Sequence, residues 1–227
     1  MSKAKPLPGL LIAAEGCDGG GKTTQVGLLV THLRAAGRLV TLTHWGGSEI
    51  VGPAISHGKR LRILQPRANS LLHAADFADR YERIIAPALA RGEIVVCDRY
   101  LYTALARDTA RGLEKAWVAR LYTDARTPDL TLFIDTPPKV ALARIVAGRE
   151  HVGFYEAAMD LADAPTRAEG FLKFQSKVRS GYKRLAKAHH FVVLDGLQRP
   201  DELATAIWAL VDPLVQRLAI TEPSLVS

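Results

Sequence analysis

Eight consecutive residues, Gly16-Cys17-Asp18-Gly19-Gly20-Gly21-Lys22-Thr23, carry the strongest chemical signal in the chain. They follow the order Gly-x-x-x-x-Gly-Lys-Ser/Thr, with an apolar run before them and Thr24-Gln25-Val26-Gly27-Leu28-Leu29 continuing in helical rhythm. Glycines let the backbone curl until successive N–H groups face one point, and the helix behind adds its positive amino end there. An anion fits at that point. In such a cradle Gly16 through Thr24 hold a chain of phosphates, Lys22 reaches the β and γ phosphates, and the Thr23 hydroxyl ligates Mg²⁺. Cys17 reads as a small filler rather than a reactive thiol.

A second cluster, Ile94-Val95-Val96-Cys97-Asp98-Arg99-Tyr100, is an apolar strand that ends on an acid and a base. Asp98 is placed to hold Mg²⁺ or its water, while Arg99 faces a second anion. The bland alternative is a strand-end ion pair at the surface. An arginine beside the metal acid argues against a plain GTPase, whose second substrate is water.

These clusters need strands that end at one edge of a sheet. Short apolar runs alternate with longer helical periodicities, the pattern of a parallel α/β sheet. The pattern predicts strands at Leu10–Glu15, Leu39–Thr43, Ile94–Cys97, Leu130–Asp135 and Phe191–Asp195. It predicts helices near Lys22–Ala36, Ala68–Arg91, Leu113–Asp124, Pro138–Ala147, Arg167–Ala188 and Asp201–Leu218. Gly46–Gln65 and Gly148–Pro165 escape the pattern, and loops of that length are often binding loops or lids. The strongest signals lie at strand carboxyl ends or in these loops, where open α/β sheets bind ligands.

The 227 residues, 48% apolar and 23% charged, are expected to form a single domain, 1–227, and exclude disordered and fibrous classes. The net charge of +7 favours an anionic partner. The basic residues are dispersed without an interleaved aromatic stripe, so no nucleic acid is expected. Two cysteines make no disulfide framework, and a reducing cytoplasm is the default. The basic start, Met1 to Gly9, precedes an apolar run too short for a signal or a span, and no membrane partner is expected.

The chain resembles the thymidylate kinase family of P-loop nucleoside monophosphate kinases. The resemblance rests on Glu15 through Gln25, on Ile85-Ala86-Pro87-Ala88-Leu89-Ala90-Arg91-Gly92 leading into Cys97-Asp98-Arg99-Tyr100, on Pro128 through Asp135, and on the helix from Val140 to Arg144. It runs in unbroken order from about Gly9 to Ala209. It implies a five-stranded parallel sheet of order 2-3-1-4-5, γ-phosphoryl transfer from ATP to dTMP, Mg²⁺ dependence and a homodimer.

Departures fall where the family binds its acceptor. The family's Arg-Glu-Pro-Gly-Gly after strand two, whose arginine meets the acceptor phosphate, becomes Thr43-His44-Trp45-Gly46-Gly47. The family's thymine-stacking aromatic and carbonyl-bonding arginine become His73 and Phe77, and Thr103-Ala104-Leu105-Ala106-Arg107-Asp108 stands where a sugar-facing tyrosine is usual. Trp45, His73, Phe77, Thr103 and Arg107 are therefore acceptor-pocket candidates with Arg99. Arg80, Arg107 and Arg111 are candidates for the lost charge. Looser selection among pyrimidines is the expectation.

The family's lid falls on Gly148–Pro165. With Gly19 and Gly20 in the cradle rather than an arginine, the charge over the moving phosphoryl is expected from Arg144 and Arg149, with Gly148 and Gly153 as hinges and Tyr155 and Glu156 at the lid's end. A kinase of another acceptor, and an ATP-dependent switch that has lost turnover, remain the rival readings.

Overall fold

The computed structural model describes residues 8–149 and 151–218, so Met1–Leu7, Glu150 in the lid segment and the last nine residues of the 1–227 span lie outside it. Five strands, β1 (Leu10–Gly16), β2 (Val40–His44), β3 (Ile94–Asp98), β4 (Leu130–Asp135) and β5 (Val192–Asp195), form a parallel sheet of order β2-β3-β1-β4-β5. That is the order the resemblance implies. The central strands are continuous apolar runs because helices cover both faces.

Alternation along β1 sends Leu10, Ile12 and Ala14 to one layer and Leu11 and Ala13 to the other. The first layer packs on α1 (Lys22–Ala35) and α9 (Pro200–Gln216) through Val26, Leu29, Leu33, Ile207 and Val211. On the other face, Leu11, Val95 and Cys97 pack with Phe77, Ile85 and Tyr100, while Phe133 packs with Tyr182 and Phe174 of α8 (Arg167–His189). The register sets Ala14 of β1 beside Asp98 of β3. The two chemical clusters thereby end side by side.

Several element boundaries differ from expectation. Gly46–Gln65 holds a helix, α2 (Gly52–Leu61), with Pro53 tolerated in its first turn; its Gly and Pro content hid the periodicity. The long helix expected over Ala68–Arg91 is α3 (Pro66–Arg80), a π turn (Tyr81–Ile85) and α4 (Ala86–Ala90). Pro87 cannot donate into a regular α-helix and its ring crowds the preceding turn, so the wider π turn accommodates it. A helix that the pattern did not show, α5 (Leu101–Ala110), follows Tyr100 directly. Regular helix in Leu113–Asp124 is confined to α6 (Lys115–Arg120). After α7 (Pro138–Gly148) the lid segment runs through turns and a 3₁₀ turn, Met159–Leu161.

Candidate active site

The cradle is built by β1 delivering its end to α1. Gly19 has φ +72°, and a Cβ there would lie 2.6 Å from the Ala141 carbonyl of α7. Gly21, at φ 94°, caps α1 without a side-chain hydrogen bond. The first-turn N–H groups of α1 are therefore left to a ligand, which is the donor set a phosphate needs.

Lys22 is only 4% exposed, and its Nζ donates to the Cys17 carbonyl. Burial first, and the neighbouring Arg99 next, bring its pKa down to about 8. Thr23 Oγ1 donates to Asp98 Oδ2 at 2.6 Å, so the two expected metal ligands already meet. Among the described residues no group of three or more His, Cys, Asp and Glu side chains is arranged to hold a metal ion. A hydroxyl, one carboxylate and the oxygens of a bound polyphosphate fit Mg²⁺, which keeps waters and shares its shell with phosphate. Burial raises the pKa of Cys17 to about 11, consistent with a filler.

Two cavities meet at the loop. One, of about 800 Å³, is a groove lined by Asp18 through Thr24, His44, Trp45, Asp98, Arg99, Arg144 and Glu156. The other, of about 490 Å³, is lined among others by Asp18, Trp45, Lys59, His73, Arg99, Thr103, Arg107, Tyr155 and Glu156. Asp18, Trp45, Arg99 and Glu156 line both.

Asp18 is the hub. Arg99 and Arg107 both pair with it, and Gln175 Nε2 donates to it at 2.8 Å. Burial would push its carboxyl up, but Arg107 and Arg99 hold it well below the usual carboxylate range. Arg99 also donates to the Gly16 carbonyl at 3.0 Å from a left-handed backbone, φ 75°. Such a φ in a non-glycine residue marks a position held by its surroundings, and such positions cluster at functional sites. Beneath it, the buried Glu15 accepts from Tyr100 N (2.9 Å), Thr103 Oγ1 (2.7 Å) and Tyr182 OH (2.8 Å). Burial raises the Glu15 pKa. Thr103 is held in place by this network.

Trp45, His73, Thr103, Arg107 and Tyr155 are thus gathered round one cavity, with Trp45 stacked on His73 at 5.4 Å. Phe77 and Arg80 are not. Phe77 packs in the core against Tyr100 (5.0 Å) and Tyr122 (5.2 Å). Arg80 is 0% exposed, pairs with Asp76 at 3.0 Å and donates to Thr43 Oγ1 at 3.1 Å. The two do share a helical face, but that face turns under Trp45 and into the core, so neither lines the cavity. Arg111 does line it, donating to Tyr155 O at 2.6 Å and pairing with Asp160 at 3.0 Å.

Arg144 reaches the groove from α7 and donates to the Gly196 carbonyl at 2.9 Å. Arg149, with its side chain 46% exposed, lines neither cavity and pairs at 2.6 Å with Glu156, which lines both. Sequence reading missed Lys59 and Gln175. The helical period of Ile55, Gly58 and Lys59 in α2 could have found the first. For Gln175 the signal was one polar residue in the apolar stripe Phe171, Phe174, Val178 and Tyr182. Its side chain bridges Asp18 of the loop and the Glu156 carbonyl of the lid segment.

A parallel sheet of this order, a phosphate cradle on its first strand and an Asp-Arg pair on the strand beside it define a P-loop kinase. The family model described as thymidylate kinase matches residues 14–207. A protein of Saccharolobus solfataricus named "Probable thymidylate kinase 2" is 43% identical over 84% of this chain and 89% of its own length. A "Thymidylate kinase" of Solidesulfovibrio magneticus is 36% identical over 91% of this chain and 100% of its own, and one of Deinococcus radiodurans is 35% identical over 89% and 96%. The chain belongs to the thymidylate kinase family, whose members are nucleoside monophosphate kinases that use ATP as phosphoryl donor. No helix among the described residues is long and apolar enough to cross a membrane.

Proposed function

We propose that the protein transfers the γ-phosphoryl group of ATP to dTMP, giving dTDP and ADP. The observation that carries this reading is the meeting of two cavities at Asp18 and Arg99, which lets a donor in the cradle and an acceptor beside it bring their phosphates together. Such transfer needs little beyond positioning and positive charge around the equatorial oxygens. Lys22 and the free N–H groups of α1 grip the β and γ phosphates. Arg99 sits between donor and acceptor phosphates. Arg107 and Gln175 orient Asp18, and Trp45, His73 and Thr103 wall the acceptor. Arg144 acts from the groove side, and Arg149 acts over the junction when freed from Glu156.

Thr23 and Asp98 would hold Mg²⁺, which when bound offsets the charge that develops between the β and γ phosphates. In this reading the chain is one kinase domain with its lid at about 148–165, working in the cytoplasm. The exposed Leu61, Ile63 and Leu71 offer apolar surface that a homodimer would cover.

ADP release with ATP and Mg²⁺ against a panel of ribo- and deoxynucleoside monophosphates tests the reading. We expect kcat/KM for dTMP to exceed that of every purine monophosphate by on the order of 10² or more. Tight ATP binding with no turnover of any monophosphate would refute it and favour a nucleotide-dependent switch.

A further inference from the structure

The acceptor cavity has a part that the groove does not share. Lys59, Asn69 and His73 line the acceptor cavity alone, whereas Asp18 and Arg99 border the groove where the acceptor phosphate must lie. The base of a bound monophosphate therefore falls toward α2 and α3.

Lys59 is half-buried there, and among the described residues it makes no ion pair. Its Nζ lies 3.2 Å from His73 Nε2. An ammonium has no lone pair, so the lysine donates, the imidazole nitrogen accepts, and the ring proton sits on Nδ1. Burial first, then Lys59 itself, holds the His73 pKa well below 6.5, so the ring is a neutral acceptor. Burial likewise brings Lys59 down to about 8, with Arg107 pressing the same way. The result is a partly desolvated cation, aimed by one hydrogen bond and left with two N–H groups. One turn back on α3, Asn69 Oδ1 is buried and, among the described residues, has no hydrogen-bond partner.

Lys59 as donor, with an acceptor one helical turn from its His73 partner, would complement a ring edge that carries a carbonyl next to an N–H. Thymine and uracil present that edge. Cytosine presents an amino group to the ammonium and a bare nitrogen to the amide oxygen, and both contacts fail. We propose that Lys59, oriented by His73, donates to the exocyclic carbonyl at position 4 of the acceptor base and so selects thymine over cytosine. The inference rests on the kinase reading above. It places the carbonyl-reading cation on α2, on a different element from Phe77, which stands where the family carries its arginine.

The test compares wild type, Lys59→Met and Lys59→Gln as full-length protein. Calorimetry gives the binding of dTMP and dCMP, steady-state assays give kcat/KM for each, and thermal unfolding checks the fold. A site built to hydrogen-bond a substrate group rejects analogues lacking it by large factors. We expect Lys59→Met to weaken dTMP by about 100-fold and dCMP by less than about 3-fold, collapsing the preference. Lys59→Gln, which keeps a neutral donor, should fall between, and it decides the matter if the methionine variant unfolds. Equal weakening of both nucleotides would put Lys59 on the phosphate or sugar and overturn the proposal, as would an unchanged preference. The binding ratio decides for Lys59 even without turnover, a result that would refute the kinase reading alone. A wild type that binds neither nucleotide overturns both.

Discussion

Lys22→Ala is expected to lower kcat by on the order of 10³ or more while leaving the fold intact. The side chain is 4% exposed at the base of the cradle, and its one hydrogen bond among the described residues is to Cys17 O. A γ-phosphate arriving there would find a charge already in place, and alanine offers none. Stability should move the other way. Burial, helped by Arg99, holds the ammonium near a pKa of about 8, below the ordinary 10.5. The charged form is thus disfavoured in the folded state by roughly 3 kcal/mol. That penalty is fully present below the folded value near 8 and fades as pH rises toward 10.5. At neutral pH without nucleotide, Lys22→Ala should therefore melt at or above the wild-type temperature. A variant that keeps more than a tenth of wild-type turnover, with its melt unchanged, would remove Lys22 from the γ-phosphate.

Arg99→Ala carries the second large effect, expected on the order of 10³ in kcat with ATP dissociation changed only a few-fold. Arg99 borders both cavities, so its fork can meet donor and acceptor oxygens at once, and charge that strengthens its contacts in the transition state appears in kcat. Arg107 stays on Asp18 in the variant, which keeps the loop anchored. Arg99→Lys should recover little, because an ammonium cannot serve two phosphates and the Gly16 carbonyl in one plane. Arg149→Ala should cost about 10², and Arg144→Ala the same or slightly less, since each acts from one side of the junction. Steady-state kinetics beside a fluorescent-ATP titration distinguish these. A raised KM with untouched kcat in Arg99→Ala would make it a binding residue and shift the catalytic charge to the lid arginines.

How far the sequence could be read depended on the range of the interaction concerned. The cradle and Asp98-Arg99 were legible because strand, turn and helix follow one another within a few residues. Parallel register then set β1 beside β3, as a P-loop sheet requires. Phe77 is an acceptor candidate because it stands at the family's arginine position, and Arg80 because it shares a helical face with Phe77. Which way that face turns is decided by Trp45, Tyr100 and Tyr122 from other elements, and it turns into the core. Lys59 was lost because Gly52, Pro53 and Gly58 read as loop, although packing against Leu64 and α3 makes that stretch a helix. The expectation of loose pyrimidine selection rests on Phe77 standing where the family carries its arginine. The role proposed for Lys59 leads to the opposite expectation, and the dTMP-to-dCMP binding ratio chooses between the two.

The position of the transferred phosphorus tests the kinase reading most directly. Wild-type protein is incubated with ATP labelled at the γ-phosphorus, Mg²⁺ and dTMP, and the products are separated and counted. We predict label in the β-phosphoryl group of dTDP, in step with ADP release and absent with Lys22→Ala. Label appearing only as inorganic phosphate, with dTMP unchanged, would contradict the account.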